Sequence, residues 1–166
     1  MSAHHTYLVA LGSNQRHPRL GAPRGVVAAA MDLMDGDLGE VVARSPIVTS
    51  APVGPSLRTY ANAAVVLDSE LAPHDLLRAL QGLEADLGRT RQGQRWRART
   101  IDLDVVLWSG GIVATSDLAV PHPLFRTRRF VLGPASAIAP DWRDPITGLT
   151  LRHLHARLTR PGRLPR

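Results

Sequence analysis

An α+β domain with a ferredoxin-like βαββαβ core, an antiparallel sheet and extra C-terminal helices is what this sequence predicts, and three observations predict it. Short apolar runs bounded by turn residues have the length and character of strands. Two amphipathic stretches between them carry the i, i+3, i+4 spacing of helices. Their order along the 166 residues is strand, helix, strand, strand, helix, strand, which is the split βαβ arrangement. A chain of this length forms one domain, spanning 1–166 with a core over about 6–158. At this size roughly 70% of the unfolded surface is buried, so no disulfide or structural metal is needed.

His5 to Leu11, HTYLVAL, reads as a buried strand, and Gly12-Ser13-Asn14 is expected to break it. Pro23 can open a helix from Arg24 to about Met34, with Val26, Val27, Ala30, Met31 and Met34 on its apolar face. Gly36 and Gly39 close it. Glu40 to Thr49 reads as one strand. Ser50 to Thr59 contains Pro52, Gly54 and Pro55 and reads as a loop. Tyr60 to Leu67 is the next strand. A second helix is predicted from about Pro73 to Leu87, with Leu76, Leu80, Leu83 and Leu87 in a stripe and Gly88 as its exit. Arg89 to Gln94 is a polar loop, and Thr100 to Trp108, TIDLDVVLW, is the clearest strand. Helices over Phe130–Ile138 and Leu149–Leu158 follow, and 159–166 reads as a loose tail.

Composition narrows the function. The chain has no cysteine, which excludes disulfides, zinc-thiolate sites and thiol catalysis. The polar start and the lack of a long apolar stretch argue against a secretory signal or a membrane span, so the cytoplasm is the expected compartment. The net charge is +6, and all 20 basic residues are arginine. Codon bias can account for the lack of lysine but not for the placement. Arg89, Arg91, Arg95, Arg97 and Arg99 fall within eleven residues that hold no acid. Guanidinium forks match phosphate oxygens, so the cluster points to a polyanionic ligand.

Asp102 and Asp104 interrupt an otherwise apolar strand directly after that cluster. Residues two apart in a strand share a face, about 7 Å apart along it. Two such carboxylates either face water or hold hard cations. Magnesium suits one or two carboxylates, with phosphate oxygens and water completing its shell. Trp96, between Arg95 and Arg97, offers a flat ring to a planar ligand or anchors a core.

The runs LGSN, APVGP with YANAAV, LEADLGR, RWRARTIDLDVVLW, VPHP and RRFVLGPASAIAP, in this order, resemble those of one family, the 6-hydroxymethyl-7,8-dihydropterin pyrophosphokinases. RWRARTIDLDVVLW, Arg95 to Trp108, is similar to its signature around the metal-binding aspartates. LGSN, Leu11 to Asn14, is similar to the end of its first strand. APVGP and YANAAV, within Ala51 to Val65, resemble its pterin loop and following strand. LEADLGR, Leu83 to Arg89, resembles its second helix and exit. VPHP, Val120 to Pro123, and RRFVLGPASAIAP, Arg128 to Pro140, complete the series. The resemblance runs from Tyr7 to about Leu158.

The resemblance implies transfer of diphosphate from ATP to the pterin hydroxymethyl group, releasing AMP, by an enzyme that acts as a monomer. It implies two Mg2+ ions on Asp102 and Asp104. Arg89 and Arg99 join those aspartates as catalytic residues. Gln81, Glu84, Arg91, Trp96, Arg99, Val105, His122 and Arg128 are implied on the ATP side. Ser50, Val53, Tyr60, Asn62, Trp96, Asp102 and Phe130 are implied on the pterin side, Asn62 reading the polar edge and Phe130 stacking. An amide can pair with such an edge through two hydrogen bonds. The chain departs from the family at Arg97, where the signature usually has glycine. Asp117 and Ala119 also stand where some members place nucleotide-contacting Arg and Thr.

Two alternatives fit parts of the pattern. An RNA-binding module shares the topology and the basic charge, but the strand YANAAVVL lacks the aromatic and basic pattern of such modules. Another magnesium-dependent nucleotidyl or phosphoryl transferase would use the same aspartates and arginines. Asn62, Tyr60 and Phe130 argue against it.

Overall fold

The computed structural model describes residues 3–50, 58–88 and 100–160. The central sheet consists of β1 (His5–Ser13), β2 (Glu40–Arg44), β3 (Val48–Ser50), β4 (Tyr60–Ser69) and β5 (Asp102–Trp108). Helices α1 (Pro23–Met34) and α2 (Pro73–Gly88) make the two crossovers. The strand order is β2-β4-β1-β5, with β3 also on β4, and every pairing is antiparallel. This is the expected βαββαβ core. A two-residue hairpin follows, β6 (Val113–Ala114) with β7 (Ala119–Val120). A 3-10 turn at Phe125–Thr127, α3 (Arg129–Ile138) and α4 (Leu151–Thr159) complete the described chain.

The two-residue period of the strands divides the core. Tyr7, Val9, Leu11, Ala63, Val65, Leu103 and Val105 face α1 and α2. Leu8, Ala10, Ala64, Val66 and Val106 face α3 and α4. On α1, all five predicted apolar-face residues are buried, along with Pro23 at the helix start. On α2 the leucine stripe is likewise buried.

Four expectations need correction. Gly12 and Ser13 do not end β1. It is an inner strand, and Gly12 pairs with both neighbours, so ladder bonds override the weak strand preference of glycine. The run Glu40–Thr49 is not one strand but two. Pro46 has no N–H to give the ladder, and the strand breaks there. The Ser45 hydroxyl bridges the break by accepting from the Ala64 N–H at 2.8 Å. Gly88 is the last residue of α2 rather than its exit. The β6–β7 hairpin has strands too short to show any periodicity and went unread. The last helix starts at Leu151, because the Thr150 hydroxyl caps it by accepting from the His153 N–H at 3.2 Å. The predicted loop at Arg89–Gln94 and residues 161–166 of the predicted tail lie outside the described residues.

Tyr7 supplies a test of the packing. Its ring is fully buried under the sheet, and its hydroxyl donates to the Leu71 carbonyl at 2.6 Å. Burial, with Asp75 adding to it, pushes the phenol up to about 12. An unfolded tyrosine ionises near about 10. The neutral phenol therefore contributes its full stability below about pH 10, and the contribution is lost as pH rises towards 12. The chain has no lysine and only two tyrosines, so few other groups titrate there. Urea midpoints at pH 8 and pH 11 should fall less for Tyr7→Phe than for the wild type.

Candidate active site

On the face turned to α3 and α4, side chains shrink toward one end of the sheet. Ala10 and Gly12 lie on β1, Asn62 and Ala64 on β4, and Asp102 and Asp104 on β5. Gly12 is register partner of both Asn62 and Asp102, and Ala10 is partner of Asp104. The start of α3 approaches this end without filling it. The result is a cavity of about 760 Å³, within the range of small-molecule sites. Its lining includes Leu11, Gly12, Ser13, Asn14, Ser50, Tyr60, Asn62, Asp102, Asp104, Arg128, Arg129 and Phe130.

Two rings stand at the cavity with much of their surface in solvent, Tyr60 at 42% and Phe130 at 50%. Apolar rings left open around a concave polar floor suit a flat ligand that would cover them. The guanidinium of Arg128 lies 5.6 Å from the Phe130 ring centre. No side chain caps the start of α3, so the positive end of that helix also faces this region.

Asp102 is exposed and Asp104 half-buried, both lining the same cavity as their spacing requires. Oxygen donors of this kind fit magnesium. Among the described residues no set of three or more His, Cys, Asp or Glu gathers here, so phosphate and water would complete the shell. The strand carrying the acids is fixed at its start by two side chains. Glu84 on α2 accepts from the Leu103 N–H at 2.8 Å, between the two aspartates. The buried Ser13 hydroxyl donates to the Thr100 carbonyl at 2.6 Å, two residues before Asp102.

His122 also supports this strand. Its backbone N–H donates to the Val106 carbonyl at 3.0 Å. Its ring Nδ1 accepts from the Leu124 N–H at 3.2 Å, which leaves Nε2 to carry the proton of the neutral ring. Burial holds its pKa below the usual histidine value, with Asp104 opposing and Arg128 adding to the depression. His122 is thus near both an acid and a guanidinium of the cavity.

The structure brings Ser50, Tyr60, Asn62, Asp102, Asp104, Arg128 and Phe130 together around one space. Four other implied residues do not line it. Gln81 is exposed on α2, and Glu84 and His122 bond the outer edge of β5 as described. The Val105 side chain is on the opposite face, packed in the core with α1 and α2, because its odd position in the strand turns it away from the two aspartates. Val53, Arg89, Arg91, Trp96 and Arg99 lie outside the described residues. Gly12, Ser13, Asn14 and Arg129 line the cavity without having been assigned there. The motif LGSN was the available signal for the first three. The Arg129 guanidinium donates to the Leu158 carbonyl at 3.1 Å, which ties the cavity wall to α4. Asp117, at one of the family departures, is engaged in its own turn. It accepts from Thr115 Oγ1 at 2.8 Å and lies 3.3 Å from His74 Nε2.

The bond from Leu103 to Glu84 can be tested by itself. Glu84→Ala should speed amide hydrogen exchange at Leu103, whereas Glu84→Gln, which keeps a side-chain oxygen, should preserve most of the protection. Equal exchange in all three proteins, read by NMR, would show that the carboxylate does not hold the strand.

The model of the 7,8-dihydro-6-hydroxymethylpterin-pyrophosphokinase family matches residues 8–140. The chain is 43% identical over 140 residues to a 2-amino-4-hydroxy-6-hydroxymethyldihydropteridine pyrophosphokinase of Pseudomonas aeruginosa, covering 82% of each chain. It is 40% identical over 154 residues to the protein of that name from Methylorubrum extorquens, covering 92% of each. Among solved structures, it shares its fold with the wild-type HPPK-DHPS of Plasmodium falciparum crystallised with pteroate. That match has a TM-score of 0.72 at 12% identity, covering 95% of this chain and 43% of the other.

Proposed function

The chain belongs to the 7,8-dihydro-6-hydroxymethylpterin-pyrophosphokinase family, and from that premise we propose how its residues divide the reaction. The enzyme is an ATP-dependent diphosphotransferase of folate biosynthesis. It moves diphosphate from ATP to the hydroxymethyl oxygen of 6-hydroxymethyl-7,8-dihydropterin. The pterin oxygen attacks the β-phosphorus, the bond from that phosphorus to the α-phosphate oxygen breaks, and AMP leaves. The observation that carries the division of labour is a single cavity. It joins two strand carboxylates and a guanidinium to an amide beside two half-exposed rings.

Asn62 reads the donor and acceptor edge of the pterin, with Ser50 and Val53 contributing backbone groups. Tyr60 and Phe130 cover its faces, and Phe130 stacks. Arg128 and the start of α3 attract the phosphates, and His122 stands beside them. Arg89, Arg91 and Arg99 grip the triphosphate, and Trp96 helps close the segment over both ligands. Gln81, Glu84 and the backbone at Val105 border the nucleotide. Asp102 and Asp104 hold two magnesium ions, which when bound offset the charge developing on the transferring group. The work asked of the protein is alignment of nucleophile and leaving group with electrostatic support.

No described helix is long and apolar enough to cross a membrane. The proposal places the enzyme in the cytoplasm as a monomer, without nucleic acid as a partner. Product analysis tests the reaction. Protein mixed with ATP, magnesium and the pterin alcohol should release AMP in step with pterin diphosphate. Release of ADP, or no pterin-dependent turnover, would refute it.

A further inference from the structure

We propose that Gly12 is a positioning residue for pterin binding, because its missing side chain leaves the space in which the Asn62 amide sits. This rests on Asn62 as the reader of the pterin edge. Gly12 lies in the inner strand β1 and forms part of the cavity floor between Asn62 and Asp102. A glycine inside a strand weakens it and calls for a local reason. Backbone conformation is not that reason, since φ at Gly12 is not positive, unlike that of five other glycines. Space is the reason. A methyl group on Gly12 would stand 3.1 Å from Asn62 Oδ1, tighter than an ordinary contact.

The perturbation is also confined. Among the described residues outside 11–13, Asn62 Oδ1 is the one atom within 4 Å of that methyl. Asp102, though paired across the strand, lies beyond its reach. On its other side Asn62 is register partner of Val48 in β3. Paired side chains of neighbouring strands stand close together, so Val48 flanks Asn62 on that side. A side chain at position 12 therefore moves the amide by a few tenths of an ångström and leaves the carboxylates where they are. Hydrogen bonds to a rigid planar edge have no slack for such a shift, because their strength depends on both distance and angle. The third residue of LGSN is held for a different purpose by its bond to Thr100, so adjacent positions of one motif serve the two halves of the cavity.

The test uses four full-length proteins: wild type, Gly12→Ala, Asn62→Ala and the double variant. Each is saturated with magnesium and α,β-methylene ATP and titrated with 6-hydroxymethylpterin by calorimetry. The nucleotide affinity is measured separately. Gly12→Ala is expected to weaken pterin binding about tenfold, the loss of roughly one hydrogen bond. Nucleotide affinity should stay within about twofold. In the Asn62→Ala background, the same substitution should cost almost nothing further, because the atom it displaces is gone. Thermal midpoints of all four establish that the comparison is between folded proteins. Equal losses in both backgrounds, parallel loss of pterin and nucleotide, or failure to fold in both backgrounds would overturn the inference. If Asn62→Ala weakens pterin binding and Gly12→Ala does not, this inference alone falls. If Asn62→Ala binds pterin as the wild type does, the assignment of Asn62 falls first.

Discussion

Asp104→Ala should lower turnover on the order of a thousandfold while leaving pterin affinity within a few-fold. The asymmetry follows from where the side chain sits. Asp104 is half-buried on the cavity face of β5, opposite Ala10, whose small side chain leaves room beside it. The carboxylate adds charge to the phosphate end and makes no call on the pterin edge, which Asn62 is proposed to read. Asp104→Asn keeps the shape and loses the charge, so it should behave like the alanine variant. Single-turnover rates across a magnesium titration, set beside pterin titrations of the same proteins, check both halves. Near-normal turnover in either variant would refute the metal role.

The largest expected stability loss comes from Asp144, far from any reacting atom. Asp144 has no exposed surface and accepts two bonds from Arg126, at 2.6 Å and 2.8 Å. It also accepts from the Ile146 N–H at 3.0 Å and from the Thr147 hydroxyl at 2.7 Å. Burial pushes its carboxyl up, but the Arg126 guanidinium and the other donors outweigh burial and hold it at about 2. Asp144→Ala leaves these donors unmatched and should cost about 3 kcal/mol. For a chain of this length that lowers the thermal midpoint by roughly 6–12 °C. The sign with pH is set by the depressed carboxyl. The pair contributes fully above the unfolded value of about 4, and the contribution is lost as pH falls towards 2. The wild type should therefore lose stability between about pH 4 and pH 2 more steeply than the variant, as read by denaturant midpoints. Arg126 sits two residues before Arg128, so the same pair steadies the approach to the cavity wall.

Periodicity was the legible part of this chain. The apolar faces of α1 and α2 and the shared face of Asp102 and Asp104 are consequences of 3.6-residue and two-residue repeats, and they can be read without coordinates. Features that depend on distant partners could not be read. Ser45 looks like an ordinary polar residue until Ala64 is beside it. Glu84 is implied on the ATP side by the resemblance, and only packing of α2 against β5 shows its bond to the Leu103 N–H. Arg126 and Asp144 are 18 residues apart with no shared pattern. Gly12 was misread as punctuation because glycine signals a turn in isolation. In an inner strand it signals a close approach instead.

The sheet ends in two margins, and each is already engaged. On one side Pro46 interrupts the outer strand, Asp35 accepts from the Val41 N–H at 3.0 Å and Arg24 donates to the Ile47 carbonyl at 3.1 Å. On the other, Glu84 takes a donor of β5 and the His122 backbone takes an acceptor. Among the described residues, neither rim offers a neighbouring molecule an unbroken row of vacant backbone partners. Strand addition by a neighbouring molecule is thereby disfavoured at both margins of the described sheet.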